Sequence, residues 1–120
     1  MWVDHLRRSD VELAALLDRG GVVMHPFIVG EIACGSLSVG KRAAVLRLLQ
    51  DLPQALVADD EELLGFVERY ALFGKGMGYV DVHLLASVAL SGHAGLWTRD
   101  KSLLAVAQRL GLAYVRAAAH

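Results

Sequence analysis

Four short apolar runs, Val22-Val23-Met24-His25, Ala55-Leu56-Val57-Ala58, Gly95-Leu96-Trp97-Thr98 and Leu112 to Val115, alternate with stretches of helical period. This alternation restricts the chain more than any other feature. Runs of that length suit strands buried on both faces, and strands separated by helices cannot pair through tight hairpins. The expectation is therefore an α/β fold with a parallel β-sheet covered on both sides by helices.

The intervening segments carry their own signals. Trp2, Val3, Leu6, Leu13, Leu16 and Leu17 fall at helix spacing before Arg19-Gly20-Gly21,. Pro26 suits the first turn of a helix through Ile28, Glu31, Ile32 and Cys34,. Lys41 to Leu52 presents Ala44, Val45, Leu48, Leu49 and Leu52 on one predicted face, closed by Pro53,. Asp59 or Asp60 can cap a helix through Leu63, Leu64, Val67 and Tyr70 to Phe73,. Gly74-Lys75-Gly76-Met77-Gly78 predicts a tightly turned loop, and Tyr79 to Leu90 resumes helix,. Asp100 starts a last helix to Leu110, and Gly111 stops it. With 120 residues and no linker or repeat, the chain reads as one domain over 1–120,.

Composition narrows the function classes. Lys and Arg total 12 against 13 Asp and Glu, a net charge of −1, so broad electrostatic wrapping of nucleic acid is not expected,. A local basic rim remains open, with Lys75, Arg99 and Lys101 close to the acidic motifs. Hydrophobic residues make up 55% of the chain, more than one small core hides, which predicts a protein partner,. The most apolar stretch, Tyr79 to Trp97, is interrupted by Asp81, His83, Ser87, Ser91, Gly92 and His93 and does not read as a membrane span,. The charged amino terminus does not resemble a signal peptide, so the expected location is the cytoplasm. Cys34 is the only cysteine and reads as a reduced, buried small hydrophobe,.

In a parallel sheet, ligands bind beyond the carboxyl ends of the strands, where helices begin. Asp100 follows Leu96-Trp97-Thr98, Asp81 follows the glycine loop, and Glu31 lies in the helix after the first run. Three elements thus can aim carboxylates at one point, where they repel one another unless a cation compensates. Hard oxygen ligands with room for water suit Mg²⁺ or Mn²⁺. Each residue alone has a plainer reading: Asp81 and Asp100 as helix caps, Glu31 as a surface residue.

The wording around these residues adds to the spacing. His25-Pro26-Phe27-Ile28-Val29-Gly30-Glu31-Ile32-Ala33-Cys34-Gly35, Gly78-Tyr79-Val80-Asp81-Val82-His83-Leu84-Leu85-Ala86-Ser87 and Leu96-Trp97-Thr98-Arg99-Asp100-Lys101-Ser102-Leu103 closely resemble VapC-type toxins of the PIN-domain ribonuclease superfamily. The resemblance runs over essentially the whole chain in the right order. It implies a three-layer PIN-like domain and a magnesium-dependent endoribonuclease, often a homodimer, neutralised by a VapB-type antitoxin. It matches Glu31, Asp81 and Asp100 to the family's second, third and fourth acidic positions, and Thr98 to a hydroxyl residue that accompanies the last aspartate.

One departure matters. The family pattern starts with a central strand ending in an aspartate a few positions before the tryptophan, whereas here Met1 directly precedes Trp2. The usual first strand and first carboxylate are missing from the pattern, and Asp4 falls inside the first helix. The expectation is a start internal to a longer reading frame; an in-frame stop codon upstream, before any aspartate-bearing hydrophobic segment, would overturn it. The alternative function is a catalytically impaired module that only engages antitoxin or a sister subunit. A phosphoacceptor receiver has one faint candidate acceptor, Val57-Ala58-Asp59-Asp60. A P-loop lacks its glycine spacing, and zinc is disfavoured by the lone cysteine and by histidines scattered at 5, 25, 83, 93 and 120,.

Overall fold

The computed structural model describes residues 13, 21–36, 38–92 and 94–114. Five helices are bounded within them: α1 (Pro26–Cys34), α2 (Val39–Asp51), α3 (Asp60–Tyr70), α4 (Tyr79–Ser91) and α5 (Lys101–Arg109). The expected opening helix lies outside the described residues except for Leu13, which is helical and buried. The chain divides into two compact units after Ala55.

In the first unit, α1 begins at His25, whose Nδ1 accepts from the Phe27 N–H at 3.0 Å, with Pro26 in the first turn where a missing donor costs nothing,. Ile32 of α1 packs with Met24 and with Leu49 of α2. The buried face of α2 is carried by Leu49 with Val45, Leu46 and Leu52, while Leu48 and, at the end of α1, Cys34, both expected inward, are exposed. The carbonyls left open at the end of α2 are met by the Gln54 side chain, whose Nε2 donates to Leu52 O at 2.8 Å and Leu49 O at 3.2 Å,.

In the second unit, α3 opens with a reciprocal capping box: Glu62 N–H donates to Asp59 Oδ1 at 2.7 Å and Asp59 N–H donates to Glu62 Oε1 at 2.9 Å,. Ala71 ends it with φ 52°, a left-handed conformation,. Gly92 does the same for α4 at φ 76°. Two core clusters hold the unit. One joins Ala58, Leu63, Leu72, Val82 and Ala86; the other joins Leu85, Leu103 and Ala107, and Phe66, Met77 and Val106 pack against both. The buried Ser87 hydroxyl donates to Leu56 O at 2.6 Å, tying the segment before α3 to α4.

The expected parallel sheet is represented by single rungs. Among the described residues the four apolar runs form no named strand, only two isolated parallel bridges, Met24 with Gln54 and Leu96 with Ala113. Hydrogen-bond chemistry limits the first bridge on both sides and the second on its preceding side. Met24 N–H donates to Pro53 O and Ala55 N–H donates to Met24 O, both at 2.7 Å. The preceding rung needs an N–H from residue 53 and the following rung one from residue 26; both are proline and have none,. At the second bridge, Leu96 N–H donates to Leu112 O at 2.7 Å and Tyr114 N–H donates to Leu96 O at 2.9 Å. The preceding rung would use the Leu112 and Ala94 donors. Leu112 N–H is instead bonded to Ala107 O at the end of α5, and Ala94 N–H to Ser91 Oγ.

Gly95 shows how tight that second crossing is. A Cβ there would sit 2.7 Å from Tyr114 Cα and 2.9 Å from its nitrogen, backbone atoms that cannot swing aside. At Gly65, inside α3, a Cβ would meet nothing within 4 Å. Urea denaturation should therefore show Gly95→Ala losing about 1–3 kcal/mol through overpacking, and Gly65→Ala gaining about 0.4–1 kcal/mol by restricting the unfolded chain. An unchanged Gly95→Ala would contradict the close approach.

Candidate functional site

Two of the candidate carboxylates stand at helix starts in the second unit. Asp81 is the third residue of α4, half-buried, and its Oδ2 accepts from Gly78 N–H at a long 3.4 Å. Gly78 has no side chain to return the bond, so this is one half of a capping box. Asp100 caps α5: its Oδ1 accepts from Leu103 N–H at 3.0 Å. Its own N–H donates to Thr98 Oγ1 at 3.1 Å, so the threonine hydroxyl sets the backbone from which the aspartate projects. Each aspartate thus engages a backbone N–H through one oxygen, while the positive end of a helix dipole favours its negative charge.

One core cluster joins the two helices behind these starts. Leu85 lies one turn after Asp81 on the same side of α4, and Leu103 is three residues after Asp100,. Leu85 and Leu103 share one buried cluster, and Leu96 and Met77, from the segments leading into the two helices, pack against it. The leucines carry no apparent chemistry and are easily passed over in the sequence; their signal is the spacing from each aspartate. Lys101 and Arg99 are exposed on either side of Asp100, and Lys75 is exposed in the loop before α4.

Glu31 belongs to the first unit, exposed on α1 just before the buried Ile32. Among the described residues of the second unit, no third His, Cys, Asp or Glu joins Asp81 and Asp100 in a metal-holding group. A two-carboxylate donor set nonetheless fits a magnesium ion chemically, since that ion keeps several waters and commonly takes only one or two protein carboxylates besides substrate phosphates. His25 and His83 are buried and serve packing: His25 caps α1, and His83 meets the Tyr79 ring edge-on with centroids 4.6 Å apart.

The chain is 44% identical over 113 residues to Ribonuclease VapC32 of Mycobacterium tuberculosis, from strain CDC 1551 / Oshkosh and equally from strain H37Rv, covering 94% of this chain and 90% of the relative. No family model and no solved structure matches. No helix of the described residues is long and apolar enough to cross a membrane.

The cap geometry separates structural from chemical roles at Asp100. Asp100→Ala should lower stability by about 0.5–2 kcal/mol through loss of the cap, whereas Asp100→Asn, which still accepts from Leu103 N–H, should stay within a few tenths. Thermal unfolding of both variants checks this; equal losses would show that the hydrogen bond is not what Asp100 contributes.

Proposed function

The chain belongs to the VapC-type ribonucleases of the PIN-domain superfamily, and on that premise we propose that it is the toxin of a type II toxin–antitoxin pair, an endoribonuclease that hydrolyses RNA phosphodiester bonds with Mg²⁺, or Mn²⁺ in its place. The observation that carries the reading is the 44% identity over 94% of the chain to a ribonuclease, and the aspartates that cap or enter two helices sharing one core cluster support it.

Asp81 and Asp100 would hold the ion, directly or through water, and Glu31 is the further acidic position that the family resemblance assigns. The chemistry such an ion supplies when bound is activation of water and neutralisation of charge on the phosphodiester. The protein's own part is positional. Thr98 fixes the backbone of Asp100, Leu85 and Leu103 fix the two helix starts, and a carboxylate of the set accepts the proton from the attacking water,. Lys75, Arg99 and Lys101 contact phosphates. With a net charge of −1 the grip on RNA is local,. The expected partners are a VapB-type antitoxin and a second copy of the chain, and the expected compartment is the cytoplasm.

The test is cleavage of structured RNA by the purified chain with and without Mg²⁺. Asp81→Asn should reduce the rate by more than about 100-fold, beyond the range typical of residues that merely support a metal ligand. Undiminished cleavage by that variant would reject the site. Antitoxin binding without cleavage, even at high concentration of the unaltered chain, would instead favour a binding module that has lost catalysis.

A further inference from the structure

Two large aromatic rings stand in solvent on the segment leading into α4. Phe73 is 61% exposed and Tyr79 is 59% exposed. Between them run Gly74-Lys75-Gly76-Met77-Gly78, with Lys75 exposed and with Gly74 and Gly76 in the left-handed conformation at φ 68° and 76°. The segment is anchored, because Leu72 is buried and Met77 packs against both core clusters of its unit. Tyr79 is further held by the buried His83 ring, at 4.6 Å and 82°. Anchored backbone thus presents aromatic, cation and aromatic in succession, two residues before Asp81.

We propose that Phe73 and Tyr79 are stacking platforms for nucleobases of single-stranded RNA, with Lys75 on the phosphate between them. The inference rests on the reading that the chain acts on RNA, and it names the residues that seat the strand beside Asp81. Every base has a π face, so such platforms bind without regard to sequence, and the intervening cation meets the backbone. A chain of net charge −1 has no excess of cations for counterion release, and stacking supplies affinity that does not depend on it,. Lysine is depleted in protein–protein interfaces, whereas a cation between two rings suits a phosphate backbone between two stacked bases. That distinction favours RNA over a protein partner.

The experiment measures binding of the full chain to a fluorescein-labelled, unstructured oligoribonucleotide by anisotropy in EDTA, alongside cleavage in Mg²⁺, with thermal unfolding of every variant. Phe73→Ala, Phe73→Leu, Tyr79→Ala and Tyr79→Leu should each weaken binding roughly 5- to 150-fold, while Tyr79→Phe stays within about twofold. Lys75→Ala should reduce the salt dependence of log K by about 0.7. Leucine preserves apolar bulk without a π face, so leucine variants that bind RNA as the unaltered chain does overturn the proposal. Loss of self-association in sedimentation with RNA affinity intact also overturns it, assigning the rings to a second copy. If the unaltered chain cleaves RNA and the ring variants bind normally, only this inference falls. If the unaltered chain neither binds nor cleaves RNA, the proposed function falls with it.

Discussion

The second unit depends on the burial of Leu85, Leu103 and Ala107 against one another. Two of the three have essentially no exposed surface, so each carries the full transfer free energy of its side chain,. Their positions matter as much as their burial. Leu85 belongs to the second turn of α4 and Leu103 to the first turn of α5, so the same cluster that excludes water also ties the amino-terminal halves of two helices to one core. Asp81 and Asp100 thus project from helices that share one core cluster, and each carboxylate is favoured by a backbone N–H and by the dipole of the helix that carries it,.

Helices were the part of the fold most readily legible in the sequence. Pro26, Pro53, Asp59 and Asp100 mark boundaries that the structure reproduces, because capping and proline chemistry are local and a short window holds the whole cause. The sheet was not legible in the same way. Val22 to His25 and Leu96 to Thr98 have the composition of buried strands, yet pairing is decided by donors on another segment. Proline 53 withholds one, and Leu112 spends another at the end of α5. Apolar composition shows where a strand is compatible; it does not show which N–H groups remain for it.

The candidate site divides along the same line. Asp81 and Asp100 were identifiable from their places at helix starts, and the structure gives each a backbone partner there. Thr98 entered through a family resemblance and acquires a physical role as the acceptor for Asp100 N–H. Leu85 and Leu103, which do the positioning, look like any other core leucines until the cluster they share is seen. Glu31 sits on a helix of the other unit, and its sequence context, flanked by Gly30 and Ile32, describes only its own surroundings.

Gly95 has a consequence for how the chain finds its pairing. With a Cβ excluded at 2.7 Å from Tyr114, this is the one residue of the run from 94 to 98 that can lie against that backbone. Sliding the segment by one position in either direction would set Ala94 or Leu96 into the same place and collide. A single rung of hydrogen bonds is a weak determinant of register, but here it is accompanied by a steric key that accepts one alignment. The misaligned pairings are thus removed by shape before their hydrogen bonds can form, and the loop carrying Asp100 emerges from the crossing at a fixed point.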